Sequence, residues 1–146
     1  LVLETLWDLG YRFVRSYGRT PTDYQPLPVD QAQPFRYELQ GFSGLMEIPI
    51  TGWHDVGFKT RFGWEEVARF ADYVCGELDR LAGTDLVWSL LQHDWSSVQY
   101  DENLTVTRSI LRRARALGWQ VLSHTEFYST HLDSVGGYRT GLVSSF

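Results

Sequence analysis

His93 stands two residues past the apolar run DLVWSLL at 85–91, His54 follows MEIPI at 46–50, and His124 follows WQVL at 119–122. Where parallel strands alternate with helices, working side chains stand just past the carboxyl ends of the strands, because the connecting loops converge there on one crevice. An imidazole titrates near neutrality, so at such a rim it can hand over or accept a proton. His93 is the sharpest candidate: Leu91, two residues earlier, shares its side of an extended chain and lines a small apolar pocket, and Trp95 forms a wall. The segment Gly52-Trp53-His54-Asp55 repeats the theme of Gln92-His93-Asp94-Trp95, a His-Asp pair next to an indole. Asp55 or Asp94 can orient an imidazole and favour its cation, although neighbours on an extended chain point apart. The structural alternative for His93 is a capping side chain bonded to a backbone carbonyl. Zinc accepts three imidazoles, but the spacing of His54, His93 and His124 matches no ligand motif and no HxxxH occurs. His131, in a polar tail, reads as solvated.

With 43% hydrophobic residues, the 146-residue chain has enough apolar side chain for the core of one domain. A net charge of -5, with arginines scattered over helix faces, excludes the basic stripe that a nucleic-acid backbone requires. Six tryptophans suit either a thick aromatic core or a cleft that stacks on flat ligands such as sugar rings. The single cysteine, Cys75, removes disulfide frameworks and thiolate metal clusters and leaves the redox compartment open. No apolar run approaches the roughly 20 residues of a membrane span, and no leader pattern opens the chain. Leu1 lies inside what reads as a helix, as it would in a piece cut from a longer protein.

The elements that must position these residues are legible in outline. Apolar residues at 2, 3, 6 and 9 followed by Gly10 predict a short helix. YRFVRSY at 11–17 predicts a strand, and four prolines between 19 and 35 predict a long surface loop. LMEIPI at 45–50 predicts a second strand, whose Pro49 marks an end or an edge. Over 64–82, apolar residues at spacings of three and four predict a helix. DLVWSLL predicts a strand covered on both faces. Asp101 caps a further helix ending at Gly118, with Leu104, Ile110, Leu111, Ala114 and Leu117 on its buried face. WQVL predicts another strand, and 125–128 opens a last helix. Two units follow: a body at 1–133 and a flexible Gly- and Ser-rich tail at 134–146. The fold class is α/β with mostly parallel strands.

In order along the chain, LETLWDLGYRFVRSYGR, LMEIPITGWHDV, LVWSLLQHDW and RRARALGWQVLSHTEFY resemble the C-terminal half of a polysaccharide deacetylase of the NodB-homology type, carbohydrate esterase family four. The likeness runs from Leu1 to Tyr128. The first stretch resembles the helix and strand after the family's third motif, the second its Trp-bearing fourth motif, and the third its fifth, a Leu-x-His ending a strand. The resemblance implies part of a distorted (β/α) barrel whose N-terminal βα units are absent. It implies removal of acetyl groups from an N-acetylated saccharide, by water activated with a divalent metal, zinc foremost, and an aspartate base. His93 becomes the general acid, Leu91 the contact for the acetyl methyl group and Trp53 a wall of the cleft, while the metal ligands fall outside this segment. The fourth motif departs from an Asp-x-x-Asp-Trp pattern, leaving Asp55 as the candidate tuner of His93, and His124 takes no family role. The segment alone is expected to be inactive and to expose a sheet edge. The alternative is a relative that binds carbohydrate without hydrolysing it.

Overall fold

The computed structural model describes residues 1–20, 23–64 and 67–137. Among them are six α-helices and one small mixed sheet, an α/β arrangement: α1 (Val2–Asp8), β1 (Phe13–Val14), β2 (Phe35–Tyr37), β3 (Phe42–Glu47), α2 (Asp55–Phe62), α3 (Val67–Leu81), α4 (Asp94–Tyr100), α5 (Thr105–Ala116) and α6 (His124–His131). A 3-10 turn at Glu38–Gln40 joins β2 to β3. The strands are ordered β1-β3-β2, β1 parallel to β3 and β2 antiparallel to it. Half of the pairing is therefore antiparallel, where mostly parallel strands were expected. No helix among the described residues is long and apolar enough to cross a membrane.

The core forms where α3 and α5 pack together. Phe70, Ala71, Val74 and Leu78 of α3 meet Val106, Ile110 and Ala114 of α5, and Phe58 of α2 closes the cluster. Spacings of three and four put these side chains on one stripe of each helix, and burying such a stripe is what stabilises short helices in water. The buried face of α5 differs from expectation at two positions: Val106 is inside, while Leu104 and Leu111 are exposed. Asp101 does cap this helix, its carboxylate accepting from the N–H groups of Thr105 and Val106 at 2.8 Å each.

The sheet is pinned by a carboxylate. Glu47, at the end of β3, is fully buried, and its oxygens accept from Ser16 N–H (2.6 Å), Ser16 Oγ (2.8 Å), Tyr17 N–H (2.9 Å) and Tyr37 Oη (2.7 Å). Four donors offset the cost of taking its charge from water, and they tie the segment after β1 and the end of β2 to the central strand.

The segment 85–91, expected as a strand, joins no ladder, and its residues are mostly half-buried, not covered on both faces. Side chains take the place of a neighbouring strand. Gln33 accepts from Val87 N–H (2.8 Å) and donates to Val87 O (3.1 Å), and Thr51 Oγ1 accepts from Ser89 N–H (2.6 Å). The strand expected at 119–122 is likewise absent: Trp119 N–H returns to Ala114 O at 2.9 Å, closing the end of α5. An open groove of about 750 Å³ separates these two segments, with Trp88, Ser89, Trp119 and His124 on its walls. The proline-rich stretch is also less of a surface loop than expected, since Val29 and Ala32 are buried. Of the tail, Gly136 accepts from Arg36 N–H at 3.1 Å, and 138–146 lie outside the described residues.

Candidate functional site

Two short helices present their N-termini to each other, and a histidine stands at the head of each. His54 precedes α2 and His93 precedes α4, both with extended backbone. The segments leading to them run side by side in the same direction, Thr51 N–H donating to Ser89 O (3.1 Å) and Asp55 N–H to Leu91 O (3.4 Å). Gly52 permits this approach: its φ is +64°, and a Cβ there would lie 2.4 Å from the Trp88 ring and 2.5 Å from Tyr73 Oη.

Asp55, the first residue of α2 and 1% exposed, is the centre of the site. Its Oδ2 accepts from His93 N–H at 3.0 Å, and its Oδ1 lies 2.7 Å from His93 Nδ1. An ionised carboxylate only accepts, so Nδ1 carries the hydrogen, and the reactive capacity of the ring is left to Nε2. Burial by itself lifts a carboxyl pKa. Against it, the side-chain and backbone hydrogen bonds from His93, backed by Ser96 and Val56, hold Asp55 below its ordinary value. The two residues thus form a fixed carboxylate–imidazole pair whose histidine side chain is 34% exposed.

His54 stands beside them, its ring centroid 5.7 Å from that of His93. Its Nδ1 accepts from Gly57 N–H at 3.0 Å, an imidazole N-cap on α2. A backbone N–H can only donate, so Nδ1 is bare and the neutral ring carries its hydrogen on Nε2. Burial, then the charge of Arg19, lowers the His54 pKa, with Asp55 pulling the other way, which favours this neutral form.

The ligand-capable atoms of His54, Asp55 and His93 all lie within 4.8 Å of one another. As arranged, the trio does not fit a divalent metal: the Nε2 of His54 holds a hydrogen, and both oxygens of Asp55 are committed to His93.

Of the residues singled out in the sequence, the structure brings Asp55, His93, His54 and Trp95 together. Trp95 is 48% exposed, with its ring 5.9 Å from that of His93. Leu91 is half-buried and meets the site through its carbonyl. Trp53 packs edge-on against Phe62 and on the core, and its N–H donates to Tyr73 Oη at 3.0 Å. Asp94 is exposed and accepts from Trp95 N–H. His124 lies elsewhere, stacked on Phe13 with its Nε2 3.5 Å from Ser89 Oγ. His131, expected to be solvated, stacks on Phe127 at 4.5 Å and is half-buried. Sequence reading missed Gly57, Lys59 and Ser96. A signal for Lys59 existed in its place one turn after Asp55, while a glycine or serine near a helix start is too common to carry one.

No family model, no curated protein and no solved structure matches the chain.

Proposed function

We propose that His93 is the proton donor in the hydrolysis of an N-acetyl amide on a saccharide, as the resemblance to the polysaccharide deacetylases implies. The observation that carries this reading is the paired hydrogen bonding of His93 N–H and Nδ1–H to the buried Asp55 carboxylate. An imidazole clamped in this way can keep Nε2 aimed at a substrate while the carboxylate stabilises the imidazolium. When water has added to the amide carbonyl, the C–N bond breaks as the departing nitrogen takes the Nε2 proton of the His93 imidazolium, leaving acetate, a free amine and the neutral ring with its hydrogen on Nδ1. His54 Nε2–H is a second donor for a polar group of the substrate, with Trp95 and Trp53 as aromatic walls and Leu91 as the contact for the acetyl methyl. In this reading the chain is part of a distorted (β/α) barrel. The metal of such an enzyme, zinc foremost, is held by residues outside this chain, since the His54, Asp55 and His93 set does not fit it.

The exposed indole of Trp95 beside His93, a flat face on which a sugar ring can stack, favours a second reading, a relative that binds saccharide without hydrolysing it. Acetate release from N-acetylated oligosaccharides, with and without chelator, separates the two: binding with no acetate under any added metal supports the second. In an active protein, His93→Ala lowers turnover by about a hundredfold or more. Asp55→Asn lowers it as well, because the imidazolium loses its counter-charge. Full activity in His93→Ala removes the assignment.

A further inference from the structure

The aromatic surface beside His93 does not end at Trp95. Trp64, half-buried, has its ring centroid 6.0 Å from that of Trp95 and 5.1 Å from that of Tyr100, so the exposed rings of Trp95 and Tyr100 are joined through it into one strip. Two helices supply it. Gly63 ends α2 with a φ of +114°, a backbone state that side chains disfavour, and the next residue is Trp64. The helix α4 carries Trp95 in its first turn and Tyr100 at its last position.

The strip is held from within. Lys59 of α2 is 4% exposed, and its Nζ donates to Oγ of the fully buried Ser96 at 2.7 Å, with the rings of Tyr100 and Trp64 centred 5.2 and 5.8 Å away. An ammonium is attracted by the negative face of an aromatic ring, so the cation and the two rings fix one another. The charge is spent inside the protein and is not offered at the surface.

Spacing and charge decide what such a strip can take. A flat group slipped between two rings needs about 7 Å between them, two contacts of about 3.5 Å each. These rings stand closer than that, so they form no cage, and a ligand must lie along the strip. Asp94 and Asp101 stand at the two ends of α4. Oδ1 of the exposed Asp94 accepts from Trp95 N–H at 2.7 Å, while its Oδ2 has no donor among the described residues. Carboxylates accept from hydroxyls and repel an anionic chain. Aromatic surface bordered by hydroxyl acceptors, with the one nearby cation covered, suits the C–H faces and hydroxyls of uncharged sugar rings.

We infer that Trp64 and Tyr100 are specificity-determining residues, extending the Trp95 wall so that the site takes a neutral oligosaccharide across more than one sugar unit. The inference rests on the saccharide reading of this site.

Calorimetric titration of the protein with N-acetylglucosamine and with chitotetraose tests it as a ratio of affinities. The tetramer binds about tenfold or more tightly than the monomer. Trp64→Leu and Tyr100→Leu keep an apolar cover over Lys59 but remove a flat ring, and each lowers that ratio about threefold to tenfold, the range of one aromatic contact. Tyr100→Phe keeps the ring and retains the ratio. A hyaluronan tetrasaccharide, which carries uronate carboxylates, binds more weakly than chitotetraose. A monomer that binds as tightly as the tetramer, or a ratio unmoved in both folded leucine variants, overturns the proposal and leaves the saccharide reading standing. Tighter binding of the uronate chain overturns the neutral class. If none of the three sugars binds, the proposal and the saccharide reading fall together. If Trp64→Leu does not fold, Tyr100→Leu, at the end of α4, decides alone.

Discussion

At the scale of single residues, the site depends on which hydrogen each polar atom holds. His54 illustrates the point, because one contact with Gly57 N–H fixes its tautomer, turns Nε2 into a donor and removes it as a metal ligand. A side chain at Gly57 would crowd the cap: a Cβ there would sit 3.0 Å from His54 Nε2 and 3.3 Å from the Trp53 ring, so the imidazole would have to give way. Gly57→Ala is therefore expected to displace the imidazole, costing α2 its cap and about 1 kcal/mol in urea unfolding. NMR titration of the same variant should place the His54 pKa back toward its ordinary value; an unchanged titration would show that the ring had not moved. His93 and Asp55 were each visible in the sequence as a polar residue past an apolar run. Their partnership was not, since 38 residues separate them and the adjacent pairs His54-Asp55 and His93-Asp94 look equally eligible.

At the scale of elements, periodicity succeeded where a helix buries one stripe and failed where side chains replace backbone partners. The spacing over α3 placed Phe70, Ala71, Val74 and Leu78 correctly because the 3.6-residue repeat alone decides which side chains share a face. The run at 85–91 has the composition of a buried strand, yet Gln33 and Thr51 satisfy its backbone, and no local pattern announces a glutamine 54 residues away. The proline-rich stretch preceding β2 supplies that glutamine, so its function is to close this segment. Glu47 is the corresponding device in the sheet, and its chemistry gives a graded expectation. Glu47→Gln keeps an oxygen for the N–H groups of Ser16 and Tyr17 and an amide that the hydroxyls of Ser16 and Tyr37 can accept from, at a cost of about 1 kcal/mol. Glu47→Leu orphans both N–H groups and costs about 3 kcal/mol or more. Equal urea midpoints for the two variants would mean that the carboxylate is not what pins β1 and β2 to β3.

At the scale of the whole molecule, two half-buried histidines link stability to pH. Burial lowers the pKa of both His54 and His124, reinforced in turn by Arg19 and Arg15. Below about pH 6.5 the unfolded chain binds protons that these folded rings resist, so their contribution is intact above that value and is lost as pH falls through their folded pKa values. Asp55 is also depressed, and its contribution is lost only in the more acidic carboxylate range. The urea midpoint should therefore fall between pH 7 and 5, and His124→Phe, which keeps the stack on Phe13, should flatten that fall; an equally steep fall in the variant would locate the effect elsewhere.

The sequence by itself determined the helices whose apolar stripes form the core, the α/β class and the positions of the polar residues past the apolar runs, because periodicity and caps act over a few residues. Only the tertiary structure decided that Asp55 clasps His93, that His54 is spent as a cap and that the buried Lys59 bonds Ser96. The bonds of Asp55 to His93 and of Lys59 to Ser96 each join a donor to an acceptor from a distant part of the chain, while the His54 cap turns on which ring nitrogen faces the nearby Gly57 N–H, and the direction in which a hydrogen points is not encoded in spacing.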